Sequence, residues 1–130
     1  MSKQTFHVPG VSEAVSGAGV PLSPVVKGAG LVFVSGMPPI DTKKGELASG
    51  DIARQTALCL DNVKSALEAA GSTLDKVLKV TVYASNSAYY ATINAVYARY
   101  FGENPPARTF VTVASWPMEF DVEIECIALA

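Results

Sequence analysis

Arg108 stands at the head of an alternating run, Arg108-Thr109-Phe110-Val111-Thr112-Val113-Ala114, directly after Pro105-Pro106-Ala107. The prolines end whatever precedes them, because each fixes φ and lacks an N–H. A strand pattern then starts with a guanidinium at its mouth. Only 17% of the 130 residues are charged, so this guanidinium calls for an anionic partner. Two kinds are available: a carboxylate of the chain, or the carboxylate of a bound small molecule. Glu123 and Glu125 share one face of the closing run 122–128 by the period of two. If that run forms a hairpin with 108–115, a carboxylate and a guanidinium on adjacent strands can meet. They then make either a cross-strand ion pair or a site with divided labour. In the second case Arg108 binds a carboxylate bidentately, and a glutamate moves protons on a water or leaving group. Asn94 offers a directional amide, or is an ordinary exposed polar residue. Ser35-Gly36 ends an apolar run; the glycine admits close backbone approach to a ligand, or marks a plain turn.

Other chemistries find little support. The chain has one histidine, His7, and two cysteines, Cys59 and Cys126, with no Cys-x-x-Cys pair. A built-in metal site is therefore not expected, and a Ser–His or Cys–His nucleophile would have to use His7, which has no supporting pattern. Each cysteine lies inside an apolar periodic segment and reads as a small core residue. The formal charge is −2, and no basic stripe with interleaved aromatics appears, which argues against a nucleic-acid partner. No apolar run approaches the ~20 residues that span a bilayer, and the N-terminus lacks a charged-then-apolar signal pattern. The expected location is the cytoplasm.

The elements that must position these residues follow from periodicity. Residues 1–130 read as a single domain. Residues 1–20 are expected to be loop-rich, with a short edge strand at 5–8. Residues 25–27 and 31–35 read as strands, the second buried and closed by Gly36, and 42–50 as a polar loop that holds a small hairpin. Asp51 is placed to cap a helix whose apolar face is Thr56, Cys59, Leu60, Val63, Ala66, Leu67 and Ala70, ended by Gly71. Residues 76–84 read as a strand. Ser87 is placed to cap a second helix running to Gly102, with Tyr90, Ile93, Tyr97 and Phe101 as one core stripe and Asn94 off it. Two strands, 108–115 and 122–128, close the chain around a turn at Pro117. Such an order predicts an α+β two-layer sandwich, a mixed sheet with two helices on one face. The low charge and the apolar residues left on the other face predict a cover by copies of the same chain.

Six segments also carry a resemblance: Val32-Phe33-Val34-Ser35-Gly36; Gln55 with Leu60-Asp61-Asn62-Val63; Ala69-Ala70-Gly71; Asn94-Ala95-Val96-Tyr97; Pro106-Ala107-Arg108-Thr109; and Val122-Glu123-Ile124-Glu125-Cys126-Ile127-Ala128. Each is weak alone, but six in order over residues 22–130 are specific. Together they resemble the reactive intermediate deaminase family (Rid, also YjgF). The resemblance implies a chorismate-mutase-like α+β fold and a homotrimer with clefts at the subunit interfaces. It implies hydrolysis of reactive enamines and imines that bear a carboxylate, such as 2-aminoacrylate, to 2-oxo acids and ammonia, without cofactor or metal. By position, it implies that Arg108 clamps the substrate carboxylate and that Glu123 orients the water or protonates the departing nitrogen. The carbonyl of Phe110 helps hold that water, and Ser35, Gly36 and Asn94 line the cleft. The chain departs from the best-known subgroup where a tyrosine is replaced by Val25, a cysteine by Phe110 and a glutamine by Met37. These exchanges add apolar surface to the implied cleft; they either make room for a bulkier imine or slow or abolish the 2-aminoacrylate reaction. A non-catalytic trimer that binds small acids would need the same arginine, and is the alternative.

Overall fold

The computed structural model describes residues 2–130. Eight strands and three helices follow one another: β1 (Gln4–Thr5), α1 (Val11–Gly17), β2 (Val25–Gly28), β3 (Leu31–Met37), β4 (Ile40–Asp41), β5 (Glu46–Leu47), α2 (Ile52–Ala69), β6 (Val77–Ala84), α3 (Tyr90–Phe101), β7 (Ala107–Thr112) and β8 (Val122–Leu129). Six strands form one sheet in the order β1-β2-β3-β8-β6-β7, and β4 and β5 pair separately. All neighbours in the large sheet are antiparallel except β6 and β7, which run parallel. The result is the expected α+β arrangement, a mixed sheet with α2 and α3 packed on one face.

The core lies between that face and α2. Val80, Val82 and Ala84 of β6 and Val122, Ile124 and Ala128 of β8 are fully buried, alternating with more exposed neighbours. Opposite them, Cys59, Leu60, Val63, Ala66 and Leu67 of α2 are also fully buried. Each large side chain so buried contributes about 1.5–3 kcal/mol. Asp51 caps α2, its Oδ1 accepting the Arg54 N–H at 3.2 Å. Gly71 ends the helix at φ 80°, where the Ser72 N–H bonds the Leu67 carbonyl at 2.8 Å. Among the described residues no helix is long and apolar enough to cross a membrane.

Five expectations change. The closing strands do not form a hairpin: β7 pairs only with β6, and β8 is inserted between β3 and β6. The physical reason is that α3 serves as the crossover of a β6-α3-β7 unit, which makes β7 parallel to β6. The more apolar β8 takes the centre, and the threonine-bearing β7, preceded by two prolines, takes the edge. The second helix begins with a single 3₁₀ turn capped by Asn86, whose Oδ1 accepts the Ala88 N–H at 2.8 Å, rather than by Ser87. Tyr90 leaves the core stripe and is 48% exposed, whereas Ile93, Tyr97 and Phe101 are buried. Helix α1 stands where a loop is expected; at seven residues it is too short to form alone, and it is held by Val11, Ala14 and Val15 packing on the core. Strand β3 also continues through Gly36 to Met37, with a register shift against β8 between Val34 and Met37.

Candidate functional site

Strand β7 and helix α3 build the basic half of the site. Arg108 sits opposite Val80 of β6, which sits opposite Cys126 of β8, so Arg108 is on the helix-covered face. Its Nη2 donates to Asn94 Oδ1 at 2.7 Å. Its Cζ lies 4.8 Å from the Tyr97 ring centroid and 5.6 Å from that of Tyr90. Tyr90, Asn94 and Tyr97 are spaced i, i+4 and i+7, so one stripe of α3 cradles the guanidinium. Phe110 follows on the same face of β7, its ring edge-on to Tyr90 at 5.0 Å and 86°. Beneath them the Tyr97 hydroxyl is buried without a hydrogen-bond partner. Burial pushes it up to about 12, although the Arg108 charge pulls the other way. The ion pairs among the described residues are His7–Glu13 and Arg54–Asp41. Arg108 therefore has no carboxylate of its own chain, and most of its five donors remain free for an anion.

The acidic half is on the other face. Glu123 sits opposite Tyr83, and Glu125 opposite Thr81, one residue out of phase with the Arg108–Val80–Cys126 row. A Cβ built on Gly36 would lie 2.7 Å from Glu123 Oε2, so the carboxylate fills the space that a side chain there would need. Burial raises the Glu123 carboxyl above its ordinary range; the nearby Trp116 side chain opposes this, and the Glu125 charge adds to it. Trp116 is itself stacked on Phe120 at 4.6 Å. Glu125 accepts the Tyr83 hydroxyl, and that bond pushes Tyr83 up to about 12. Ser35 is half-buried, and its Oγ donates to the Ser23 carbonyl at 2.6 Å, which ties β3 to the segment before β2.

Helix α2 holds both segments that flank this acid. The fully buried Gln55 accepts the Asp121 N–H at 2.7 Å and donates to Asp121 Oδ2 at 3.1 Å, just ahead of β8. Asn62 Nδ2 donates to the Pro38 and Ile40 carbonyls at 3.2 and 3.1 Å, just after Gly36.

Two groupings thus emerge: Arg108, Asn94 and Phe110 together, and Glu123 and Gly36 together. They do not meet within one chain. Strand β6 separates β7 from β8, and Arg108 and Glu123 emerge on opposite faces, so the cross-strand ion pair expected from a closing hairpin cannot form. Val25 is fully buried opposite Val34 and offers no surface to a ligand in the single chain. The cysteines stay in the core. Burial raises both thiols, Cys126 to about 12, so neither is a ready nucleophile. Tyr90, Tyr97, Tyr83 and Trp116 join the two groupings unannounced. The i, i+4, i+7 spacing of Tyr90, Asn94 and Tyr97 was a visible signal, but the same period describes a core stripe.

The profile of the family described as Endoribonuclease L-PSP matches residues 13–130. A RutC family protein of Pyrococcus horikoshii is 47% identical over 108 residues, covering 83% of this chain and 86% of that protein. The 2-iminobutanoate/2-iminopropanoate deaminase of Escherichia coli K12 is 38% identical over 122 residues, covering 89% and 94%. The crystal structure of a conserved Rid-family protein of unknown function from Yersinia pestis superposes with a TM-score of 0.89 at 33% identity, covering 99% of this chain and 100% of that one. Matched along nearly its whole length in sequence and in fold, the chain belongs to the RidA/YjgF family of reactive intermediate deaminases, the Endoribonuclease L-PSP family.

Proposed function

We propose that this protein hydrolyses imines, and the enamines that tautomerise to them, when they bear a carboxylate, and that it releases a 2-oxo acid and ammonia. The observation that carries this reading is Arg108: a guanidinium oriented by Asn94 and Tyr97, with no carboxylate of its own chain to neutralise it. The name of the Escherichia coli relative supports the same substrate class.

In this mechanism Arg108 takes the substrate carboxylate through paired N–H···O bonds. The C=N carbon is already electrophilic, and more so when its nitrogen is protonated. Glu123 accepts a proton from a water as the water oxygen bonds to that carbon. The proton then passes from Glu123 to the nitrogen of the carbinolamine. The C–N bond breaks, ammonia leaves with the electron pair, and the hydroxyl gives its proton to the Glu123 carboxylate as the C=O forms; that proton is then released to solvent or to the ammonia. A raised carboxyl suits this shuttle, because its proton affinity is closer to the working pH. The chemistry needs one positioned water and one proton carrier, and calls for no metal or cofactor.

Because Arg108 and Glu123 emerge on opposite faces of the sheet, a site that uses both needs two copies of the chain. A homotrimer, in which Arg108 of each copy meets Glu123 of the next, closes such a head-to-tail contact. Phe33, 43% exposed, and Val111, 36% exposed, supply apolar surface on the uncovered face for that packing. Gly36, Asn94 and Phe110 then line the clefts. The cytoplasm, where amino-acid metabolism produces such intermediates, is the matching location.

The test generates the imine in situ with an amino-acid oxidase or dehydratase and follows 2-oxo acid release above the spontaneous rate. The wild type should accelerate it. In Arg108→Ala, kcat/KM should fall about 10- to 100-fold, the worth of a charge-assisted bond to a buried anion. Full activity in that variant would remove the mechanism.

A further inference from the structure

We propose that Tyr90 and Phe110 form an aromatic wall that selects imino acids whose α-substituent is apolar and bulky or aromatic. The inference rests on the reading that Arg108 holds the substrate carboxylate, and it adds which member of that class is preferred.

The wall adjoins the guanidinium directly. The Tyr90 ring is 5.6 Å from Arg108 Cζ, and the Phe110 ring is 5.0 Å from Tyr90 at 86°. A carboxylate paired to Arg108 places its α-carbon one bond further out, so the α-substituent comes within van der Waals reach of these rings. Tyr90 is 48% exposed although its helix neighbours in the cradle are not, which leaves ring surface to cover. The edge-to-face contact fixes both rings before a ligand arrives, so little ordering remains to be done on binding. The Phe110 ring packs against another ring, that of Tyr90. A methyl substituent would cover little of this surface. A benzyl or branched alkyl substituent would cover much of it and displace water from it.

The experiment measures kcat/KM for imines made in situ by an amino-acid oxidase from alanine, leucine and phenylalanine, with the spontaneous rate subtracted. The wild type should favour the leucine- and phenylalanine-derived imines over the alanine-derived one by at least about tenfold. Tyr90→Ala and Phe110→Ala should each collapse that ratio toward one. Tyr90→Phe, which keeps the ring, should preserve it. A wild-type ratio at or below one, or a ratio unmoved in both alanine variants, would overturn the inference. Arg108→Ala separates this from the underlying reading. If it lowers turnover on all three imines while the ratio ignores Tyr90 and Phe110, the wall alone is wrong. If it lowers none of them, the carboxylate site itself is wrong. Circular dichroism of each variant confirms that the ratio is read on folded protein.

Discussion

The Glu123 carboxylate lies where a side chain on Gly36 would have to go: a Cβ there would be 2.7 Å from Glu123 Oε2. Strand β3 bears a residue without a side chain at the one place where the acid of β8 leans over it, next to the register shift between Val34 and Met37.

Gly36→Ala should therefore move the acid and leave the fold in place. The clashing atoms are the far end of a flexible side chain, so stability should change by no more than about 1 kcal/mol. Displacing the proton carrier by about 1 Å should lower kcat about 100-fold. Steady-state kinetics beside a urea titration tests both halves.

Glu123 should make stability depend on pH in a defined direction. Burial raises its carboxyl above 4.5 in the folded chain. The folded state then holds the proton more tightly than the unfolded state does. The stability this group contributes is full below pH ~4.5 and is lost as the pH rises through the raised value. Glu123→Gln escapes that loss, so its Tm relative to wild type should rise between about pH 4 and pH 7.5. In activity, kcat/KM of the wild type should increase with pH along a limb centred above 4.5, and the glutamine variant should lack that limb.

A mixing experiment should show whether Arg108 and Glu123 of different copies make one site. Arg108→Ala and Glu123→Gln are each expected to be nearly inactive. Co-expressed in equal amounts, they should recover about one quarter of wild-type activity if the proposed homotrimer assembles at random, because one junction in four then joins an intact arginine to an intact glutamate. If both groups came from a single copy, no recovery would occur.

Gln55→Leu should be costly although it keeps a large side chain in place. Gln55 is fully buried and serves both the Asp121 N–H and the Asp121 carboxylate. Removing it strands a backbone donor and a carboxylate oxygen, and should cost about 2–4 kcal/mol. Urea unfolding at fixed protein concentration measures this.

Helix α2 was readable in full, because Asp51, the apolar face and Gly71 are local signals that act within a few turns. The alternation of β6 and β8 was equally plain, and so were the arginine at a strand mouth and the glutamates in the last strand. Helix α1 was not, since only its packing on the core stabilises it. Tyr90 was misplaced because a helical period cannot say where a core ends.

The amino-acid sequence by itself determined the two long helices, the main strands and their order along the chain. Period-two alternation states which residues of a strand share a face, but not which face of the sheet that is, nor which strands are neighbours. Those were decided when α3 carried the chain across to a parallel β7 and β8 was drawn into the gap beside β6. That long-range choice, governed by burial of Val122, Ile124 and Ala128 against the helices, sends Arg108 and Glu123 to opposite sides of one sheet.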